Sequence, residues 1–302
     1  MIAARRPGLL RRIYDHRWDY AYIAPALGVM MLVIAYPVYF TVYLSFFNTP
    51  PNLSLDDKIF TGLENYTRIM AAESFHEATW NTLVWTVYST GLAYVMGFAA
   101  AIALNHEFRG RGLLRGTLLV PYVISAVAAS YVWRWLYHSD FGVIGAISVA
   151  LGVTDKPINF LDSRAMAMPS LIVVNVWKEF PFAMIMMLAG LQTVPDQLLR
   201  AAQVDGANAW QRFWHITMPH VKNVSVVTVL LLLVTNLNSF TIPYIMTGGG
   251  PAGATETLGI LVYREAFGSF RFGTAAALGV LMLATAALIV LVGLRRLRDD
   301  IK

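Results

Sequence analysis

Long apolar runs constrain this chain more than any other feature of its sequence. A membrane-spanning helix needs about 20 predominantly apolar residues. Six stretches approach or exceed that length, and they are residues 20–47, 78–105, 116–133, 165–192, 223–246 and 272–294. Of the 302 residues, 57% are hydrophobic and 14% are charged, whereas a soluble domain carries about 25% charged residues. The sequence therefore predicts an all-α polytopic membrane protein with six transmembrane helices.

Basic residues cluster beside one set of span ends and predict the orientation. They lie at the start and end of the chain, in the connection 106–115, and before the fifth span. The positive-inside rule places such segments in the cytoplasm. This gives a cytoplasmic N-terminus (1–19), a transmembrane domain (20–294) and a cytoplasmic C-terminus (295–302). A cleaved signal peptide is the alternative for the start, but its apolar core has about 7–15 residues and the first run is longer.

A polar island at residues 195–219 separates the fourth and fifth runs. An apolar face recurs at helical spacing after Pro195, and Asp205-Gly206 predicts a left-handed turn at the end of that helix. Aromatic residues around Phe213 predict a second short helix, which Pro219 is expected to end. Two such helices at right angles would form a rigid knob at the membrane surface. The plainer alternative is an ordinary cytoplasmic connection.

The island resembles the EAA loop of ABC-importer permeases, whose pattern is Glu-Ala-Ala-x-x-Asp-Gly-Ala followed by an aromatic residue, an Ile and a Pro. The matching residues are Ala201, Ala202, Asp205, Gly206, Ala207, Phe213, Ile216 and Pro219. Arg200 stands where the pattern has Glu, which leaves open which ATPase group it meets. In that family the loop is a coupling helix that sits in a groove of an ATPase subunit. The resemblance therefore implies that residues 200–213 couple this chain to an ATPase.

The resemblance extends over residues 20–294 and is greatest to the MalF-like sugar permeases. Its further matches are residues 62–66, Trp177, Pro181 and the turn 247–251. It implies a multi-pass subunit of the bacterial inner membrane, embedded in lipid, that imports a carbohydrate. The implied partners are a second homologous permease, two ATP-binding-cassette ATPase subunits and an extracytoplasmic solute-binding protein. Polyols and glycerophosphodiesters are also served by this family and stay open as substrates.

Polar residues lie near the middle of the fourth and fifth spans. Lys178-Glu179 should face a cavity, because a charge at the bilayer centre costs about 2.5–3.5 kcal/mol on insertion scales. Adjacent residues on a helix do not face each other, so an internal ion pair is not expected. Pro181 predicts a kink that opens backbone carbonyls to that cavity. Asn236, Asn238 and Ser239 fall at a similar depth, with hydrogen bonding between helices as the alternative role.

The resemblance to sugar permeases carries solute contacts onto Phe182, Asn236 and Ser239. Carboxylates and amides bond hydroxyl groups, and aromatic faces pack on sugar C–H surfaces. This chemistry suits a neutral saccharide or polyol. The candidate substrate-binding residues are Trp177, Lys178, Glu179, Phe182, Asn236, Asn238 and Ser239.

Other classes of function find little support in the sequence. The chain has no cysteine and no phosphate-binding G-x-x-x-x-G-K-[ST] motif, so ATP hydrolysis must come from a partner. The histidines lack metal-ligand spacing, and no catalytic residue, metal or cofactor is expected. The net charge of +5 reflects membrane topology and not nucleic-acid binding. A secondary transporter or channel working without an ATPase should show matched broken helices, which the sequence does not predict, and a membrane enzyme lacks an acid/base set.

Overall fold

The structure is a computed structural model that describes residues 17–49 and 58–299. The basic residues at positions 5–12 and Lys302, on which part of the predicted orientation depends, lie outside these ranges. In chain order the helices are α1 (Arg17–Met30), α2 (Tyr36–Leu44), α3 (Glu64–Ala71), α4 (Glu73–Asn105), α5 (Arg111–Val123), α6 (Ala126–Leu136), α7 (Val143–Ala150), α8 (Ala167–Leu191), α9 (Asp196–Val204), α10 (Ala209–Arg212), α11 (Met218–Leu237), α12 (Thr241–Thr247), α13 (Leu258–Tyr263) and α14 (Phe272–Asp299). Single π-helical turns at Met31–Ala35 and Phe213–Thr217 join neighbouring helices, and a third at Arg264–Gly268 extends α13.

Among the described residues, five helical stretches are long and apolar enough to cross a membrane. They are Tyr22–Leu44, Glu73–Asn105, Ala167–Leu191, Ala209–Leu237 and Phe272–Arg296. A sixth span is formed if the bent pair α5 and α6 is counted as one. The all-α membrane architecture predicted from the apolar runs is therefore confirmed.

The centre of the bundle is the contact between α4 and α8, which pack along much of their length. Gly97 makes this approach possible, since a Cβ at that position would collide with the Phe180 carbonyl and the Ala183 side chain. Apolar side chains such as Leu104 and Met187 are fully buried beside them. Helix α11 packs against both, so these three helices form a rigid frame for the polar residues in their middle.

The third span, predicted at residues 116–133, is sharply bent in the structure. Helices α5 and α6 meet at an angle of 94°, with Ile124 and Ser125 in extended conformation between them. Hydropathy does not detect such a break, because the run stays apolar through it. The break leaves backbone carbonyls without helical partners, and the Lys178 Nζ donates to two of them, Tyr122 O at 3.4 Å and Ile124 O at 2.9 Å. At Pro181, by contrast, α8 runs on as one continuous helix.

The fifth span also differs from its prediction. Helix α11 ends at Leu237, residues 238–240 are not helical, and α12 begins at Thr241. Pro219 does not end a separate short helix, because it occupies the first turn of α11, where a proline N–H is not needed. A π-helical turn over Phe213–Thr217 joins α10 to α11. The second helix of the predicted knob is therefore the start of the span itself.

At the end of the bundle away from the segment 195–219, the connections between spans contain regular structure. Strands β1 (Phe47–Asn48) and β2 (Ile59–Phe60) pair antiparallel. The buried Asn65 Nδ2 donates to Ser45 O and Phe47 O, both at 2.9 Å. The stretch 138–164 contains helix α7.

Candidate functional site

A buried polar network joins α4, α8 and α11 at the middle of the bundle. Asn236 on α11 is fully buried, and its Nδ2 donates to Glu179 Oε2 at 2.9 Å and to Thr90 Oγ1 at 3.1 Å. Its Oδ1 accepts a hydrogen bond from Asn175 Nδ2 at 2.7 Å, and its backbone carbonyl accepts one from Trp85 Nε1 at 3.2 Å. All the hydrogen-bonding groups of this side chain are used within the bundle.

The structure brings together two predicted site residues, Glu179 and Asn236, from different spans. Glu179 is only half-buried, so this residue is not enclosed on all sides. Asn175, which is 2% exposed, was missed by the sequence reasoning. Its spacing of four residues from Glu179 places both on one helix face, and this was the available signal. Thr90 and Trp85 gave no such signal, because their partners are distant in sequence.

The remaining predicted residues of the fifth span lie at the break between α11 and α12. Ser239 is half-buried and follows the helix end, and its backbone N–H donates to Asn236 O at 3.1 Å. Asn238 is exposed, and its Nδ2 donates to Val234 O at 2.8 Å within its own helix. The break therefore places Ser239 next to the polar network, whereas the Asn238 side chain is turned along α11.

Aromatic side chains connect α8 to the bent span. The Trp177 ring lies 5.4 Å from that of Trp133, and the Phe182 ring lies 5.9 Å from that of Tyr122 and nearly parallel to it. Lys178 fills the space between, with its Nζ 5.8 Å from the Tyr122 ring centroid. Lys178 and Glu179 thus have different partners, as their adjacent positions on one helix predicted. The solute contacts predicted for these residues stay predictions.

The loop 195–219 forms a second candidate site at one end of the bundle, and it is called the coupling loop below. Helix α9 ends in the predicted turn, where Gly206 has φ +84° and Ala207 N donates to Ala202 O at 2.9 Å. Asn208 and Gln211 then cap α10 reciprocally through side chain and backbone, which is a capping box that the sequence reasoning missed.

Aromatic packing holds the coupling loop on the bundle. The Phe213 ring lies 5.8 Å from the Phe98 ring of α4, and Leu199 and Ile216 pack against the same apolar cluster. Arg200 points away from this anchor, with 80% of its side chain exposed and Asp196 at 3.9 Å. Phe213 and these apolar side chains therefore hold the loop against α4.

The outward side of the coupling loop exposes two large apolar side chains among polar and charged residues. Val204 is 88% exposed and Trp210 is 69% exposed. Beside them, an open groove of about 350 Å³ runs along the turn, and it is lined by Ala202, Asp205, Gly206, Ala207, Gln211, Arg212, His215 and Ile216. Exposed aromatic and aliphatic groups around a groove are typical of a protein interaction site.

The opposite end of the bundle carries a loop that is fastened to α4. Asn81 Nδ2 donates to Gly253 O at 2.9 Å and to Glu256 O at 3.1 Å. The Glu256 carboxylate pairs with Arg264 at 2.8 Å. Burial raises the pKa of Glu256 above its ordinary value, and the Arg264 guanidinium opposes that shift.

These features define a class of protein, an all-α membrane permease with a polar site inside the bundle and a docking loop at one end. Residues 93–301 match the family model described as "Binding-protein-dependent transport system inner membrane component", and the chain belongs to this family. It is therefore a transmembrane permease subunit of an ABC importer and a multi-pass protein of the inner membrane.

Two relatives are similar over almost their whole length. The chain is 33% identical over 287 residues to the trehalose/maltose transport system permease protein MalF of Thermococcus litoralis. This alignment covers 95% of this chain and 96% of that protein. It is 36% identical over 276 residues to the sulfoquinovosyl glycerol transport system permease protein SmoG of Agrobacterium fabrum, with coverage of 91% and 89%.

The fold is shared with a solved importer. A crystal structure of a bacterial ABC transporter involved in the import of the acidic polysaccharide alginate superposes with a TM-score of 0.82. The alignment covers 97% of this chain and 99% of that chain at 23% sequence identity. At this identity the likeness shows the fold alone.

Proposed function

We propose that this chain forms half of the translocation pathway for a carbohydrate in an ATP-driven importer. The relatives that support a carbohydrate are named for trehalose or maltose and for sulfoquinovosyl glycerol. A second homologous permease supplies the other half of the pathway. An extracytoplasmic solute-binding protein delivers the sugar, and two ATP-binding-cassette ATPase subunits drive the transport cycle.

The observation that carries this proposal is the half-buried Glu179, bonded to Asn236, within a bundle of apolar spans. Asn236 holds one carboxylate oxygen at 2.9 Å, which fixes the direction of the group. A carboxylate accepts hydrogen bonds from sugar hydroxyls, and the neighbouring Trp177 and Phe182 rings offer faces for sugar C–H groups. A lipid-facing carboxylate would be too costly, so Glu179 faces the pathway.

The predicted site residues divide into two roles in this proposal. Glu179, Trp177, Phe182 and Ser239 contact the sugar. Asn236 acts by positioning Glu179, because its own side-chain groups already have partners within the bundle. Lys178 positions the bent span through its bonds to backbone carbonyls. Asn238 lies beside the break and stabilises the end of α11 through its hydrogen bond to Val234 O.

The coupling loop docks on an ATPase subunit. Its exposed Val204 and Trp210 fit an apolar groove on that partner, and Arg200 meets an acidic group there. The loop and both chain termini (1–19 and 295–302) are cytoplasmic in this proposal, since basic residues are concentrated beside them.

Transport assays on the reconstituted complex test the proposal. The chain is co-purified with its genetically linked subunits and binding protein, and uptake into liposomes is measured for a disaccharide, a polyol and a glycerophosphodiester. We expect uptake of the disaccharide only when ATP is enclosed in the liposome and the loaded binding protein is added outside, because import moves the sugar towards the side of the ATPase subunits. Uptake driven by an ion gradient without ATP would support the secondary transporter instead. ATP-dependent uptake of the glycerophosphodiester alone would overturn the assignment to a carbohydrate.

A further inference from the structure

An open apolar groove runs between α11 and α14 near the end of the bundle that carries the coupling loop. Its volume is about 550 Å³. The side chains that line it are overwhelmingly aliphatic, with Tyr94 of α4 at one side and Arg296 at one end. The lining residues are Tyr94, Ser225, Val226, Val229, Leu230, Leu233, Leu288, Ile289, Val292, Gly293 and Arg296.

The floor of the groove depends on a glycine. Gly293 lies where α14 crosses α11, and a Cβ at this position would collide with the Leu230 side chain. The wall contributed by α11 runs from Ser225 to Leu233, which corresponds to about 12 Å at 1.5 Å per residue. The groove is therefore long and narrow, and it follows the direction of the helices through one half of the membrane.

The charge in the groove is confined to one end. Arg296 is exposed, and among the side chains that the structure describes, which end at residue 296, no carboxylate forms an ion pair with it. It lies at the end of the span Phe272–Arg296, where the membrane core meets the headgroup region. A cation at the interface, at the end of an apolar groove of about 12 Å, matches the chemistry of a phospholipid, whose phosphate is anionic and whose acyl chain is apolar.

We propose that this groove binds one anionic phospholipid from the leaflet on the side of the coupling loop. An acyl chain lies along α11 and α14, and the phosphate is paired with Arg296. The groove is lined by residues of this chain. It connects the lipid to α11, the helix that continues from the coupling loop.

The test measures lipids that stay bound to the intact transport complex. The complex is purified from membranes, exchanged into mild detergent and titrated with phosphatidylglycerol or phosphatidylethanolamine before native mass spectrometry. We expect phosphatidylglycerol to be retained in preference. Arg296→Gln should weaken its retention about fivefold, as expected for one arginine near an anionic headgroup.

Two matched controls separate this site from general membrane contact. Arg295→Gln makes the same change in charge at the neighbouring position, which does not line the groove, and it should leave retention unchanged. Val229→Trp fills the groove and should remove the bound lipid, whereas Leu291→Trp adds the same bulk at an exposed residue outside it and should not.

Three results would overturn the proposal. Equal losses in Arg295→Gln and Arg296→Gln would show a diffuse charge effect. Equal retention of the two lipids by the wild type would show that Arg296 does not select an anionic headgroup. The third result combines two variants: Val229→Trp loses the second permease, and Arg296→Gln retains lipid like the wild type. Together these would show that a protein helix fills the groove.

Discussion

At the scale of single residues, the central arrangement is the network around Asn236. The sequence placed Glu179 and Asn236 at one depth, because both lie near the middle of long apolar spans. It could not show that Asn236 would be fully buried, since burial depends on how α4, α8 and α11 pack together. The pairing with Thr90 across 146 positions of sequence has no local signature. In the structure, Asn236 makes hydrogen bonds between helices, which was the alternative role for this residue.

Substitutions at Glu179 test whether hydrogen bonding or charge matters at this site. Glu179→Gln keeps an oxygen that can accept the bond from Asn236, so we expect a loss of uptake of less than about threefold. Glu179→Leu removes the acceptor and should cost about 1–1.5 kcal/mol, or roughly tenfold in transport rate or apparent affinity. Uptake kinetics of the reconstituted complex give the comparison.

Thr285→Val is the matched control, because the Thr285 hydroxyl is exposed and bonds only to Leu281 O of its own helix. It should transport like the wild type. Wild-type kinetics for Glu179→Leu would remove this carboxylate from the proposed pathway.

At the scale of the elements, the bent third span is the main departure from the sequence prediction. Apolar periodicity and length report whether a segment can lie in the membrane, and they do not report an angle of 94° within it. The one informative residue was Lys178, an unpaired charge in the neighbouring span. Its bonds to Tyr122 O and Ile124 O show that the charge compensates for carbonyls released at the bend.

Lys178→Met should destabilise this bend. Two carbonyls lose their donor, and we expect a cost of about 1–2 kcal/mol, seen as a lower thermal midpoint of the purified complex. Lys178→Arg keeps donors at the end of the side chain and should recover most of the loss. A change in the apparent affinity for the sugar at unchanged stability would contradict the positioning role and indicate direct solute contact.

The turn of the coupling loop is the element that the sequence predicted best. Gly206 has φ +84°, and a residue with a β-carbon pays about 1–2 kcal/mol in this conformation. Gly206→Val should therefore lower ATPase activity that is stimulated by the sugar-loaded binding protein. Gly206→Asn should be milder, because asparagine tolerates the left-handed region.

Gly112→Val serves as the control for this turn. Gly112 lies in α5 with no positive φ, and nothing lies within 4 Å of a Cβ built there. Its activity should differ little from wild type. Full stimulated activity in Gly206→Val would show that the turn is not needed for coupling.

At the scale of the whole molecule, the sequence predicted the membrane class and the number of spans because both depend on composition and length. It did not predict how the coupling loop is built into the fifth span. Pro219 looked like a helix end, yet the π-helical turn Phe213–Thr217 lets the backbone continue from α10 into α11. The coupling loop is thus directly continuous with the helix that carries Asn236.

The proposed orientation is tested by cysteine labelling, for which the chain provides a clean background because it contains no cysteine. A cysteine at Gln203, in the coupling loop, should react with a membrane-impermeant thiol reagent in inverted vesicles and not in intact cells. A cysteine at Asp155, which is exposed in the connection between α7 and α8, should show the opposite pattern. Labelling of the Gln203 position from outside intact cells would reverse the topology.

The central claim is that this chain receives the work of ATP hydrolysis through the coupling loop. The most direct measurement is the ATPase activity of the purified complex, stimulated by sugar-loaded binding protein, in wild type and in Trp210→Asp, which places a charge on the exposed apolar side of the loop. We predict stimulated hydrolysis in the wild type. In the variant, the second permease should stay bound to this chain. The ATPase subunits should dissociate, or their activity should no longer be stimulated by the sugar-loaded binding protein. A variant that hydrolyses ATP and imports sugar like the wild type would contradict the account.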